Sequence, residues 1–253
     1  MVYTATGFAG LLQRIIARPV MTFWYSSVIR RHASLPRPED APVGNVEGPS
    51  PVTVLMVGGD GPSVGWGVRS HGLALPGQFA RELSTLTGRG VDVDLISDPS
   101  FTVDGLPGVL AGRDLSGYEV ILVIPGAREA ITLVQPSAWR RSVRNLLDLL
   151  LAVGSVETRL VFIGSQPLRS IPAFDSPLAL ISAPHRLLLN SIADDICRSI
   201  PAASYITLPA SDALHAGRYR SPDDYHLWAR ALADHVATVT ISPGTVGRRP
   251  DEA

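Results

Sequence analysis

The chain has 253 residues, enough for one α/β domain with a sizeable core and a short extension. Hydrophobic residues make up 45% of it and charged residues 18%, and the formal net charge of −1 excludes the basic footprint that nucleic-acid binding requires. The single cysteine, Cys197, excludes an internal disulfide framework and a multi-cysteine metal site. Cys197 falls in a helical-looking segment, which predicts a small buried hydrophobe and is compatible with a reducing compartment such as the cytoplasm.

The amino-terminal segment, residues 1–32, is predicted to form an apolar and basic helix. Its apolar run is interrupted by Arg14, Arg18 and Pro19, whereas a membrane-spanning helix needs about 20 mainly apolar residues with few charges. A signal peptide would place its charges before the apolar core, so that pattern does not fit either. Two alternatives remain for residues 7–31: peripheral contact with a membrane surface, or packing against the body of the protein.

Two further segments are predicted to lie outside the main domain. Residues 33–51 are rich in Pro, Gly, Glu and Asp and cannot bury much apolar area, so they are expected to form a linker. Residues 241–253 are expected to form a polar tail. The main domain therefore covers residues 52–240.

A buried strand followed by a glycine-rich loop opens this domain. Residues 52–57 form an unbroken apolar run with β-branched side chains, which is typical of a strand covered on both faces of a parallel sheet. Glycines, an aspartate and Pro62 end the strand, and residues 75–86 have helical spacing. Open α/β sheets place their sites in loops at this position.

The spacing of the loop glycines excludes two cofactor motifs. Gly59, Gly61 and Gly65 do not match the G-x-G-x-x-G fingerprint of dinucleotide-binding loops. A phosphate loop would need a Lys, and none follows. Because no His, Asp and Glu residues cluster at metal-ligand spacing either, we expect neither a cofactor nor a metal.

Strands and helices alternate along the rest of the domain. Further strands are predicted at residues 91–96, 119–124, 160–163 and 204–208, a loop at 97–108, and further helices at 139–153, 183–200 and 226–239. This alternation predicts a three-layer α/β/α fold of flavodoxin-like type with a mostly parallel, five-stranded sheet.

Asp223 and His226 form a candidate catalytic pair just before the last predicted helix. A carboxylate bonded to one imidazole nitrogen holds a histidine in the tautomer that acts as a general base. The alternative is that Asp223 or Asp224 caps the helix while His226 packs at its start.

The glycine-rich loop and this closing pair together resemble the SGNH (GDSL-type) hydrolases. Residues 59–65, GDGPSVG, are similar to the G-D-S-x-x-x-G block of that family, with Asp60 at the position of its Asp and Gly61 at that of its nucleophilic Ser. The Asp-x-x-His of Asp223 and His226 is similar to the family's last block. The resemblance covers residues 52–239 and implies an SGNH-like fold and ester or acyl hydrolysis.

The two middle blocks of the family depart from its pattern as well. Ser100 stands where the family has a Gly whose N–H points into the oxyanion hole. The third block, G-x-N-D, begins here at Gly126 but carries Arg128 for Asn and Glu129 for Asp. Arg128 has donors for an oxyanion, yet an Arg–Glu neighbour pair is also typical of a surface ion pair.

Two functional hypotheses follow. The first is a divergent esterase that acts on a small ester through His226 and Asp223, with Ser63 or water as the nucleophile and with Ser165 and Ser100 as weaker candidates. The second is a catalytically silent relative that binds an acyl or glycan ligand or a protein partner.

Overall fold

The computed structural model of the chain describes residues 8–32, 35–59, 61–210 and 220–240. Within these ranges the helices are α1 (Phe8–His32), α2 (Leu75–Thr87), α3 (Leu106–Leu110), α4 (Arg128–Ile131), α5 (Pro136–Val153), α6 (Ala179–Arg198) and α7 (Pro222–Thr240). The strands are β1 (Val43–Val46), β2 (Val52–Gly58), β3 (Val91–Ser97), β4 (Val120–Ile124), β5 (Arg159–Gly164) and β6 (Ala203–Thr207).

The strands form one mixed sheet in the order β1-β3-β2-β4-β5-β6. Strands β2 to β6 pair in parallel, which confirms the predicted α/β fold and its five strands. The sixth strand, β1, pairs antiparallel with β3 and lies within residues 33–51, for which the sequence predicted a linker. Val43 and Val46 face Asp94 and Val91 across the ladder, and β1 thereby covers the edge of β3.

Helices cover both faces of the sheet, because the side chains of each buried strand alternate between two cores. Val54 and Met56 of β2 lie in the core under α2 and α7. Leu55 and Val57 lie in the core under α3, α5 and α6. Cys197 is buried in this second core, as the sequence predicted.

The second half of α1 packs on the body of the protein, which is one of the two predicted alternatives. Its residues Trp24 and Tyr25 are buried and contact Phe174. The Trp24 ring meets the Phe174 ring edge-on, with centroids 5.8 Å apart, and the Tyr25 ring stacks on it, with centroids 6.1 Å apart. Met21 and Val28 continue the same buried face. Among the helices that the structure describes, none is both long and apolar enough to cross a bilayer.

Several predicted boundaries change. The predicted loop at residues 97–108 contains the start of α3, and α6 begins four residues before the predicted position. The closing helix α7 begins at Pro222 rather than at His226, because Pro is favoured in a first helical turn and Ser221 caps the helix. The predicted tail lies outside the described residues.

Candidate functional site

The loops that follow β2, β4 and β5 meet at the carboxyl edge of the sheet, where the sequence predicted a site. They surround a cavity of about 20 Å³, which is room for about one water molecule. The polar side chains of its wall are those of Ser165, Gln166 and Arg220, and the apolar ones include those of Trp66, Ile171 and Phe174. The backbone of Gly61 and Gly126 also lines it.

Gly61, at the family's nucleophile position, lines this cavity. Its φ of +96° is a backbone conformation that favours glycine, and a Cβ built on it would lie 3.9 Å from Cα of Gly126. A side chain at position 61 would therefore point across the cavity towards Gly126, which also lines it. Asp60, the predicted motif residue, lies outside the described residues.

Ser63, the candidate nucleophile, is buried in a 3-10 turn at Pro62–Val64. Its hydroxyl donates a 2.7 Å hydrogen bond to the carbonyl oxygen of Gly59 in the same loop. Within the described part of the chain, no hydrogen bond joins this hydroxyl to His226. The Ser63 hydroxyl therefore stabilises the conformation of its own loop.

His226 lies on α7 and faces α2 rather than the cavity. Its side chain is 54% exposed, and its Nδ1 lies 3.4 Å from a carboxylate oxygen of Glu82. Asp223, also exposed, precedes it by one helical turn. Because the helix begins before both residues, the predicted loop that would turn them towards one another is absent.

A helix cap forms at this motif, with Ser221 rather than Asp223 or Asp224 at the cap position. The carboxylate of Asp224 accepts hydrogen bonds from the backbone N–H of Ser221 at 2.7 Å and from its hydroxyl at 3.0 Å. The N–H of Asp224 in turn donates to the Ser221 hydroxyl at 3.4 Å. This reciprocal pairing is a capping box, which satisfies donors at the start of a helix.

The two predicted oxyanion donors, Ser100 and Arg128, are bound to the protein itself. The N–H and hydroxyl of Ser100 donate to the carboxylate of Asp98 at 2.7 and 2.5 Å, and these bonds lower the pKa of Asp98. Arg128 donates from Nη1 to the carbonyl oxygen of Ser100 at 3.0 Å, and its guanidinium lies 5.9 Å above the ring of Tyr25. Ser100 therefore fixes the turn of its own loop, and Arg128 joins two loops.

Glu129, at the position aligned with the family's Asp, also binds the loop that follows β3. It is buried, and its carboxylate accepts a 3.0 Å hydrogen bond from the N–H of Val103. Arg128 and Glu129 thus both bind the loop that follows β3, which the predicted surface ion pair did not anticipate.

Arg220 is a cavity residue that the sequence analysis missed. It is buried, its guanidinium lies 4.6 Å from the ring centroid of Trp228, and its Nη2 lies 3.5 Å from the side-chain oxygen of Gln166. Tyr225 donates from its hydroxyl to the carbonyl oxygen of Trp66 at 2.9 Å, and burial raises the pKa of Tyr225 to about 12. In the sequence, the only feature that could have pointed to Arg220 is its position directly before the segment at residues 221–226, which contains the candidate pair Asp223 and His226.

The cavity also contains a hydroxyl group, that of Ser165. The Ser165 Oγ is buried and makes no hydrogen bond within the described residues, while its carbonyl oxygen accepts from Arg186 and Asn190. In the same described ranges, no three His, Cys, Asp or Glu side chains group closely enough to hold a metal ion.

Comparison with solved structures finds a similar fold in several esterases. A carbohydrate acetylesterase from Sinorhizobium meliloti has a TM-score of 0.56 and 13% identity, with 74% of this chain and 99% of that chain covered. The native aryl esterase of M. smegmatis gives 0.55 and 12% over 74% and 99% of the two chains. A lipase from a goat rumen metagenome gives 0.57 and 12% over 76% and 99%. No protein-family model and no curated protein sequence matches the chain. At these identities, the likeness concerns the fold.

Proposed function

We propose, from the SGNH hydrolase fold that this chain has and from the residues at its candidate site, that it is a catalytically silent relative which acts by binding. One observation carries the proposal. The only serine of the nucleophile block, Ser63, has its hydroxyl buried against the Gly59 carbonyl, while His226 lies on the outer surface of α7.

Serine-based hydrolysis needs a nucleophile and a base within hydrogen-bond reach of each other, about 2.6–3.2 Å. It also needs donors directed at the developing oxyanion. Here the Ser100 N–H donates to Asp98, and the Nη1 of Arg128 donates to the Ser100 carbonyl, so both side chains are held by bonds within the protein. In well-studied triads, removal of the nucleophile alone abolishes most of the rate.

The cavity volume also counts against ester hydrolysis at this point of the sheet. A space of about 20 Å³ holds about one water molecule, whereas small-molecule sites usually measure about 300–1,000 Å³. Water activated by His226 and Asp223 would have to act on the outer surface of α7, away from the predicted oxyanion residues. A ligand would therefore bind outside this cavity, and acyl or glycan groups are the first to test, because the similar solved structures are of a carbohydrate acetylesterase and an aryl esterase.

The test compares the hydrolysis of short p-nitrophenyl acyl esters by the full chain with that by His226→Ala, Ser63→Ala and, as a matched control, the exposed-site variant Ser116→Ala. We expect the parent and all three variants to hydrolyse the esters at the same background rate. Turnover by the parent that His226→Ala abolishes and Ser116→Ala preserves would establish the esterase instead. Loss in Ser63→Ala as well would identify Ser63 as the nucleophile, whereas its retention would favour activated water.

A second proposal concerns the outer surface of α1, where a specific observation favours peripheral contact with anionic lipid. Phe23 is 70% exposed and Val20 is 55% exposed, beside the exposed Arg18 and Arg30. Residues 1–38 contain five of the 22 basic residues of the chain and none of its 23 acidic ones. Apolar side chains beside cations suit an interface with anionic headgroups.

Flotation with vesicles of neutral and of anionic phospholipid tests this contact. We expect flotation with the anionic vesicles only, and a loss in Phe23→Ser that the control Leu86→Ser does not show, since Leu86 is 48% exposed on α2. Equal flotation of the two variants, or none by the parent, would refute lipid contact through α1.

A further inference from the structure

A second and much larger cleft lies beside the loop that follows β3. The segment at residues 35–42 forms one wall, and residues 95–101 form another. Its volume of about 1130 Å³ is slightly above the usual range for small-molecule sites, which reaches about 1,000 Å³. Its charged and titratable lining consists of Arg37, Glu39, Asp40, Arg69, His71, Asp98 and Arg113.

The cleft contains a paired carboxylate and imidazole. Asp40 accepts a hydrogen bond from the backbone N–H of His71 at 2.8 Å, and the same carboxylate oxygen lies 2.8 Å from Nδ1 of the His71 ring. The backbone hydrogen bond is the largest cause that holds the pKa of Asp40 below its ordinary value. An ionised carboxylate only accepts hydrogen bonds, so Nδ1 carries a proton.

This pairing fixes the orientation of the ring and leaves Nε2 for a ligand. The Nε2 of His71 has no hydrogen-bond partner within the described ranges, and the residue lines the cleft although it is mostly buried. In the neutral ring Nε2 accepts a proton or hydrogen bond, and in the charged ring it donates one. A carboxylate orients the imidazole of catalytic triads in the same way.

The hydrogen-bond donors beside His71 favour an anion. The exposed guanidinium of Arg69 makes no hydrogen bond or ion pair with any residue that the structure describes, and Arg37 lines the same cleft. Two of the three acidic groups of the lining are already hydrogen-bonded, Asp40 by His71 and Asp98 by Ser100. The lining thus holds three arginines and three carboxylates, and the guanidinium of Arg69 keeps its N–H donors for a ligand.

We propose that this cleft binds a small anionic ligand whose carboxylate or phosphate oxygens contact the guanidinium of Arg69 and Nε2 of His71. Arginine recognises such oxygens through paired N–H donors. The inference goes beyond the proposed function, since it uses neither the small cavity nor ester chemistry. The segment at residues 35–42 thereby gains a role as a wall of the site, held in place by Asp40.

The test follows the ring nitrogens of His71 by NMR in the full chain near pH 7. The chain is titrated with sodium phosphate in one arm and sodium acetate in the other, with sodium chloride keeping the ionic strength constant. We expect a saturable shift of the His71 signals, and the stronger arm identifies phosphate or carboxylate as the ligand group. Arg69→Gln should weaken binding about tenfold, whereas Arg230→Gln, an exposed arginine on α7, should not change it.

Three outcomes would overturn the proposal. The first is the absence of a saturable shift in both arms. The second is equal weakening by Arg69→Gln and Arg230→Gln, which would indicate a general charge effect. The third is unchanged binding in Arg69→Gln and in Asp40→Asn, together with a lower melting temperature for Asp40→Asn, which would make the Asp40–His71 pair a structural clamp only.

Discussion

The guanidinium of Arg128 donates a 3.0 Å hydrogen bond to the carbonyl oxygen of Ser100, and this bond joins the two loops that carry the predicted oxyanion residues. Next to Arg128, the buried carboxylate of Glu129 accepts a hydrogen bond from the N–H of Val103, in the loop that follows β3. Arg128 and Glu129 thus link their own loop to the loop that follows β3. The first prediction concerns the strength of that link.

Glu129→Ala should lower the free energy of unfolding by about 1–3 kcal/mol, because it leaves the buried N–H of Val103 without its acceptor. Urea denaturation measures the change. The control is Glu157→Ala, at an exposed position, which should stay within about 0.5 kcal/mol of the parent. Equal stability of the two variants would contradict a structural role for Glu129.

Gly61→Ser, which restores the family's nucleophile residue, should cost about 1–3 kcal/mol of stability, because its φ of +96° is strained for any residue with a Cβ. We also expect no gain of ester hydrolysis, since His226 faces Glu82 rather than the cavity. Thermal unfolding is compared with that of Gly108→Ser, where an added Cβ has open space and no positive φ. A gain of turnover that His226→Ala removes would contradict this prediction.

Asp224→Ala should destabilise the protein by about 1 kcal/mol through loss of the capping box with Ser221. Differential scanning calorimetry of this variant beside Asp234→Ala, an exposed aspartate further along α7, measures the effect. A melting temperature equal to that of the control would show that the cap contributes nothing.

His235 should make the fold less stable in mild acid. Burial lowers the pKa of this ring below its ordinary value of 6.5, and its Nε2 lies 2.9 Å from the Ser204 hydroxyl. Below pH 6.5 the unfolded chain therefore binds a proton that the folded chain does not, so stability falls as the pH drops through that value. Urea titrations between about pH 7 and pH 5 should show a smaller fall in His235→Gln than in the parent.

The matched control for His235 is Arg230→Gln, which replaces an exposed charge on the same helix that does not titrate in this range. This variant should keep the slope of the parent. A slope in His235→Gln as steep as that of the control would assign the acid sensitivity to other groups.

For the amino-terminal helix, the sequence allowed two interpretations, and only the packing of its side chains in the folded chain distinguishes them. The helix over residues 8–32 was expected, but whether it met lipid or protein depended on partners far along the chain. Trp24 and Tyr25 are buried against Phe174, so this face of the helix packs on protein, whereas Phe23 on the opposite face is exposed to solvent. The strand at Val43–Val46 escaped prediction because four residues among prolines and glycines carry little periodic signal. Its stability comes from pairing with β3.

The sequence by itself determined the order of the five parallel strands and of the long helices between them, and the position of the loop at Gly61, because apolar periodicity and turn residues act over short distances. Tertiary structure alone decided where side chains point. The closing motif became a helix cap because Asp224 is within reach of Ser221, and His226 was thereby turned towards Glu82. The pairing of Asp40 with His71, 31 positions apart, likewise arises only when the chain brings distant segments together.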